Sequence, residues 1–116
     1  MIETTYFLDC KDTIRTSADG PHPATLFEKG TIKLVAAGLE AGQSIPGHEE
    51  SLGIYHFLSG EGVMTVDGVP FDVQQGSTII APNGAERGIS AQKHLSFLGT
   101  RITSCEHGSK SDYSDE

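Results

Sequence analysis

Five runs along the chain are rich in β-branched and aromatic residues: TIKLVAAGL (31–39), GIYHFLS (53–59), GVMTVDGVPFDV (62–73), STIIAP (77–82) and HLSFLGTRIT (94–103). Each is bounded by Gly, Pro, Asn or Asp, the residues that interrupt extended chain. Asp67-Gly68, flanked by Val66 and Val69, predicts a two-residue hairpin whose central positions want positive φ. Gly60-Glu61-Gly62 is expected to close a second hairpin. No helical period is long enough to cross a sheet, and ADGPHPA breaks the only place for a short helix, within the first forty residues. Short strands at this rhythm predict an all-β fold, a small antiparallel sandwich or barrel.

STIIAP and IYHFL are apolar at successive positions instead of alternating, so both faces of those strands want a packing partner. In a small barrel the second partner is another subunit, and a homodimer is expected. The 116 residues suit a single domain, and the net charge of −8 argues against a nucleic-acid partner, which needs a basic face. The domain is expected over 1–103. The polar, acidic segment 104–116 reads as a poorly ordered tail or, through Tyr113, a strap across a neighbouring subunit. Cys10 and Cys105 are expected to stay reduced, a disulfide joining the two ends being the lesser alternative. MIETTYFLDC has neither a basic start nor a long apolar run, which points to the cytoplasm and away from a membrane.

From Gly42 the chain runs through five residues to His48, one more to Glu50, and then IYHFLSGEG; later Gly76 is followed by five residues and Pro82-Asn83-Gly84. These stretches resemble the two signature motifs of the cupin superfamily, G-x5-H-x-H-x3,4-E-x6-G and G-x5-P-x-G-x2-H-x3-N. YHFLSGEGVMTVDG is similar to the second half of the first motif, and GSTIIAPNG to the first half of the second. Together the motifs span about half the chain. The matching glycines (Gly42, Gly60, Gly76, Gly84) fall where tight turns need glycine, and Pro82 ends a strand without needing a donor. The resemblance implies a small antiparallel β-barrel of the double-stranded β-helix (jelly-roll, RmlC-like) type, usually dimeric, with a ligand pocket in its mouth.

It also implies where a metal would be held: two histidines at i and i+2 on one strand, a glutamate and a third histidine. This chain keeps His48 and has Glu50 at the second position. Counting back from Gly60, the glutamate position falls on Gly53, or on Ile54 after a one-residue shift. The third histidine position is Arg87, which cannot coordinate a metal, and the closing asparagine is Ala91. With Gly53 inward, Tyr55 and Phe57 also face the interior and His56 points out, the register that best preserves the motif. With Ile54 inward, His56 and Leu58 turn in and His48, Glu50 and His56 form a three-ligand cluster. His22, His94 and His107 are given no role.

The leading expectation is therefore a small-molecule-binding barrel without a complete metal site or a resident cofactor. Arg87 would clamp a carboxylate or phosphate, or pair with Glu50 across the mouth. His48 would act as donor or general base, with Glu50, Tyr55 and Phe57 completing the pocket. The surface alternative places Arg87 beside Glu86 and leaves Glu49 and Glu50 as a solvated loop. The rival function is a metalloenzyme, a dioxygenase or isomerase, using His48, Glu50 and His56 on Fe, Mn, Ni or Zn. A third is a barrel with no reactive site.

Overall fold

A computed structural model of the chain describes residues 3–103. The tail from Ser104, the Tyr113 strap and Cys105, hence one end of the proposed disulfide, lie outside the described residues. Cys10 is a half-buried free thiol. A short 3-10 helix, Cys10–Thr13, is capped by Asp9, whose carboxylate accepts from the Lys11 N–H at 3.0 Å. Seven antiparallel strands follow: β1 Ala24–Lys29, β2 Ile32–Leu39, β3 Ser44–Glu49, β4 Leu52–Val66, β5 Val69–Gln74, β6 Thr78–Ala81 and β7 Glu86–Ile102. Among the described residues, no helix is long and apolar enough to cross a membrane.

The two long strands, β4 and β7, pair with each other and form the spine. The first half of β7 lies between β3 and β4, and its second half lies between β2 and β4. β4 likewise changes its outer neighbour, from β6 at residues 53–56 to β5 at residues 61–66. The change is made at a bend, where the β4–β7 register shifts between Phe57 and Ser59 and again between Gly60 and Gly62. Sheet order is β1-β2-β7-β4-β5, with β3 joined to β7 and β6 to β4. The bent spine folds the sheet over so that β1, β2 and β6 belong to one wall and β3 and β5 to the other.

Asp67 and Gly68 take φ values of 50° and 83° between Val66 and Val69, as the hairpin requires. Gly60-Glu61-Gly62 differs from expectation: the strand runs through it and does not reverse. Gly60 has φ of 91°, and a Cβ there would overlap the His94 carbonyl oxygen. Glycine is needed because two backbones touch at a corner, a reason that resembles a turn signal in sequence. Two strands went unread. β1 is brief and half polar. β3 contains Pro46 and Gly47, pairs only with β7, and carries a register shift between Ile45 and His48, all marks of an edge strand.

The core lies below the bend, where Leu39, Phe57, Met64 and Leu95 are fully buried with Ala37, Val73, Ile89, Ala91 and Phe97 around them. Phe57 and Phe97, partners across β4 and β7, tilt together with ring centroids 5.5 Å apart. Phe57→Ala should therefore cost about 3–5 kcal/mol of stability, read from urea unfolding at equilibrium. Gly60→Ala should yield little folded protein, because neither touching backbone can move without breaking the spine.

Candidate functional site

The register of β2, β7 and β4 stacks three inward-facing rows. The deepest is Ala37–Phe97–Phe57, the middle is Val35–Gly99–Tyr55, and the uppermost is Lys33–Arg101–Gly53. Polarity rises one row at a time, from hydrocarbon through a phenol to two cations. Because side chains alternate across a strand, this gradient follows directly from sequence once the partners are fixed. Against these rows stand Ile45 and His48 of β3 and Arg87 and Ile89 of β7. Between the two walls is a cavity of about 420 Å³, within the range of small-molecule sites. Gly99, in the middle row, contributes no side chain and leaves space beside Tyr55.

Arg87 is 1% exposed, the largest fully buried side chain among the described residues. Nε donates to the Ala85 carbonyl at 3.1 Å, and Nη2 donates to the Glu50 carbonyl at 3.1 Å and the Pro82 carbonyl at 2.9 Å. Nη1 donates to the Tyr55 hydroxyl at 3.4 Å, and the guanidinium carbon stands 5.9 Å from the Tyr55 ring centroid. Its acceptors are all neutral. The planar fork thus ties the β3–β4 and β6–β7 loops together, a geometry a lysine ammonium cannot copy. Room for it exists because residue 53 is glycine: a Cβ there would lie 2.6 Å from Nη1.

The Glu50 carboxylate is directed elsewhere. Oε1 accepts from Arg101 Nη1 at 3.1 Å, while Oε2 lies 3.3 Å from His48 Nε2. The other ring nitrogen of His48, Nδ1, is 3.1 Å from the Pro46 carbonyl and must donate to it. Nε2 then completes a hydrogen bond to Glu50 only when it carries the second proton. Lys33 lines the same mouth and has no carboxylate within ion-pair distance among the described residues. The cavity is lined by three permanent cations, Lys33, Arg87 and Arg101, against one carboxylate, Glu50, giving a formal excess of +2 before His48 is counted. This excess sits in a chain whose net charge is −8.

His48, Glu50, Tyr55 and Arg87 are thus brought to one cavity. Phe57 is not: it faces the same way as Tyr55 but one row deeper, sealed in the core. Arg87 meets the backbone oxygen of Glu50 and not its carboxylate, so the expected Arg87–Glu50 ion pair is replaced by Arg101–Glu50. Gly53, Tyr55 and Phe57 face inward, and His56 therefore points outward. It is exposed on the outer face, its Nδ1 2.8 Å from Thr78 Oγ1, and the His48–Glu50–His56 cluster is not assembled. Lys33 and Arg101 were missed. Both lie in runs read as strands, but nothing local in sequence reveals that β2, β7 and β4 are neighbours.

A transition-metal ion needs several convergent imidazole, carboxylate or thiolate donors. Among the described residues the cavity lining offers His48 and Glu50, has a guanidinium where a third donor would stand, and has no side chain at Gly53. Among the described residues, no group of three or more His, Cys, Asp or Glu side chains converges. The described residues do not by themselves make up the four-ligand metal centre that the family resemblance implies.

No family model and no curated protein matches the sequence. Solved structures do match the fold. A conserved Streptococcus pyogenes protein of unknown function is 24% identical, with a TM-score of 0.79 over 90% of this chain and 93% of that one. A cupin superfamily protein from Desulfitobacterium hafniense is 16% identical, with a TM-score of 0.79 over 89% and 95% of the two chains. An RmlC-like cupin from Desulfovibrio desulfuricans is 23% identical, with a TM-score of 0.72 over 86% and 95%. The chain has the cupin double-stranded β-helix fold.

Arg87→Met should remove three charge-assisted hydrogen bonds, leaving the Ala85 carbonyl without its donor and the Glu50 and Pro82 carbonyls with only their backbone partners, and cost about 3 kcal/mol or more in denaturant unfolding. Arg87→Lys should recover only part of that loss. Gly53→Val, by driving the guanidinium from its seat, should destabilise to a comparable extent.

Proposed function

We propose that this barrel binds a small organic anion, its apolar body inside the cavity and its charge at the mouth. The observation that carries the reading is the local excess of positive charge above an apolar floor, inside a strongly acidic chain. A cleft with low-dielectric walls focuses such a field and attracts anions against the repulsion of the surface. Arg101 and Lys33 are the accessible cations. Arg87 adds charge from behind and, as a positioning residue, holds the loop that carries Glu50. His48, half exposed beside Glu50, is the group placed to donate or accept a proton if a reaction accompanies binding.

The homodimer reading is supported by the outer face of the same wall. There Ile32–Ile102–Leu52 and Leu34–Thr100–Ile54–Ile80 form adjacent outward rows, and Ile80 is 65% exposed. A second copy packed on these rows would cover them.

Thermal unfolding should rise with an organic carboxylate such as benzoate and not with its neutral amide; at a hundred times Kd the stabilisation is about 2.7 kcal/mol. Arg101→Gln should abolish the difference between the two compounds. Stoichiometric transition metal in protein purified without chelators, lost on His48→Ala, would overturn the anion reading in favour of the metalloenzyme. Ile80→Lys should shift the sedimentation coefficient from dimer to monomer without altering the response to benzoate.

A further inference from the structure

We infer that the carboxylate of Glu50 occupies, in the free protein, the place that a ligand's carboxylate takes. The ligand is a monocarboxylate with a compact apolar body, and it binds by displacing Glu50 from Arg101. This rests on the anion-binding reading above and adds the ligand class, the subsite and the residue that competes for it.

Lys33 and Arg101 are directly opposed on β2 and β7, so two like charges share one face at adjacent positions. Such a pair is unfavourable unless an anion lies between its members. Glu28, opposite Lys33 on β1, does not come within ion-pair distance of it. Of these two cations Glu50 reaches only Arg101, and only through Nη1. The guanidinium is therefore held end-on, and among the described residues the rest of its fork makes no hydrogen bond. A carboxylate seated from inside the cavity can take the two-pronged geometry that Glu50 does not, with Lys33 on its other side.

The competing contact is built to yield. Glu50 and Arg101 are partly exposed, with side-chain exposures of 26% and 37%, so their bond is screened and weak. The backbone of Glu50 is nonetheless fixed, its carbonyl accepting from both Arg87 and the Gly84 N–H at 2.8 Å. The side chain can therefore leave Arg101 without unfolding the loop. Below the subsite, the ligand body meets the opening over Gly99, walled by Val35 and Tyr55 and floored by Phe97 and Ile89. These surfaces suit an aromatic ring or a branched aliphatic chain and offer little to a second charge.

The test is calorimetric titration of the full chain with benzoate, and with hexanoate as a second probe, in a carboxylate-free buffer of fixed ionic strength. Glu50→Gln should tighten benzoate by about three- to tenfold, since the competitor is gone. Glu49→Gln, which removes the same charge from the exposed neighbouring position, should change affinity by less than about twofold. Arg101→Gln should weaken binding by at least about tenfold. Unchanged or weaker binding by Glu50→Gln refutes displacement, as does equal tightening by the Glu49 and Glu50 variants, which would mean bulk charge alone. If neither wild type nor Glu50→Gln binds either acid, the anion-binding reading itself fails; binding that ignores Glu50 sinks only the displacement.

Discussion

The register in which β7 lies between β4 and β2 is the constraint on which everything else depends. It is held by the backbone ladder along both long strands and locked by aromatic packing at its deep end. A slip of β7 by one residue would turn Phe97 and Arg101 outward and bring Leu98 and Thr100 inside, leaving Phe57 and Tyr55 of β4 without their partners. Core and cavity are thus a single object seen at two depths. The same alternation that buries the phenylalanines places cations at the rim. The β4 corner at Gly60 makes this arrangement compatible with a closed shape, because it lets one strand serve both walls.

Arg87 shows how one buried side chain can order two loops and charge a cavity at once. Its charge is permanent and its hydrogen bonds are directional, so it organises two loops while raising the potential of the interior. A cation of this kind supplies no open coordination position and activates no water. What it offers is attraction and order. Its removal from water is offset by carbonyl dipoles and the face of Tyr55, and among the described residues no carboxylate pairs with it to cancel its field. The carboxylate nearest to that role, Glu50, is spent on Arg101 and His48 instead.

The parts of this structure legible in sequence were those written locally. Asp67-Gly68 announced its turn because only a few residue pairs tolerate two successive positive φ values. The motif glycines and Pro82 pointed to the barrel, and the motif spacing back from Gly60 to Gly53, with alternation from there, favoured Tyr55 inside and His56 outside over the register shifted by one. What could not be read was whatever depends on distant segments meeting. Gly60-Glu61-Gly62 looked like a reversal because glycine marks both turns and close backbone crossings. Phe57 had the right face but an unknown depth, since depth is set by which residues of β7 and β2 stand beside it. Lys33 and Arg101, sixty-eight positions apart by subtraction of their numbers, carry no sign that they are neighbours. Arg87 was found by its place in a motif, yet its partners are backbone oxygens, which no side-chain pattern records.

The bare position in the middle row gives the barrel an adjustable capacity. A methyl group at Gly99 would meet Tyr55 at 3.6 Å and Phe97 at 3.8 Å, ordinary contact distances, and the backbone there is not in the left-handed region. Alanine would fit without disturbing the ladder, while valine or leucine would fill the hollow from below. The volume of the hollow could therefore be set through one codon, leaving the charged rim untouched.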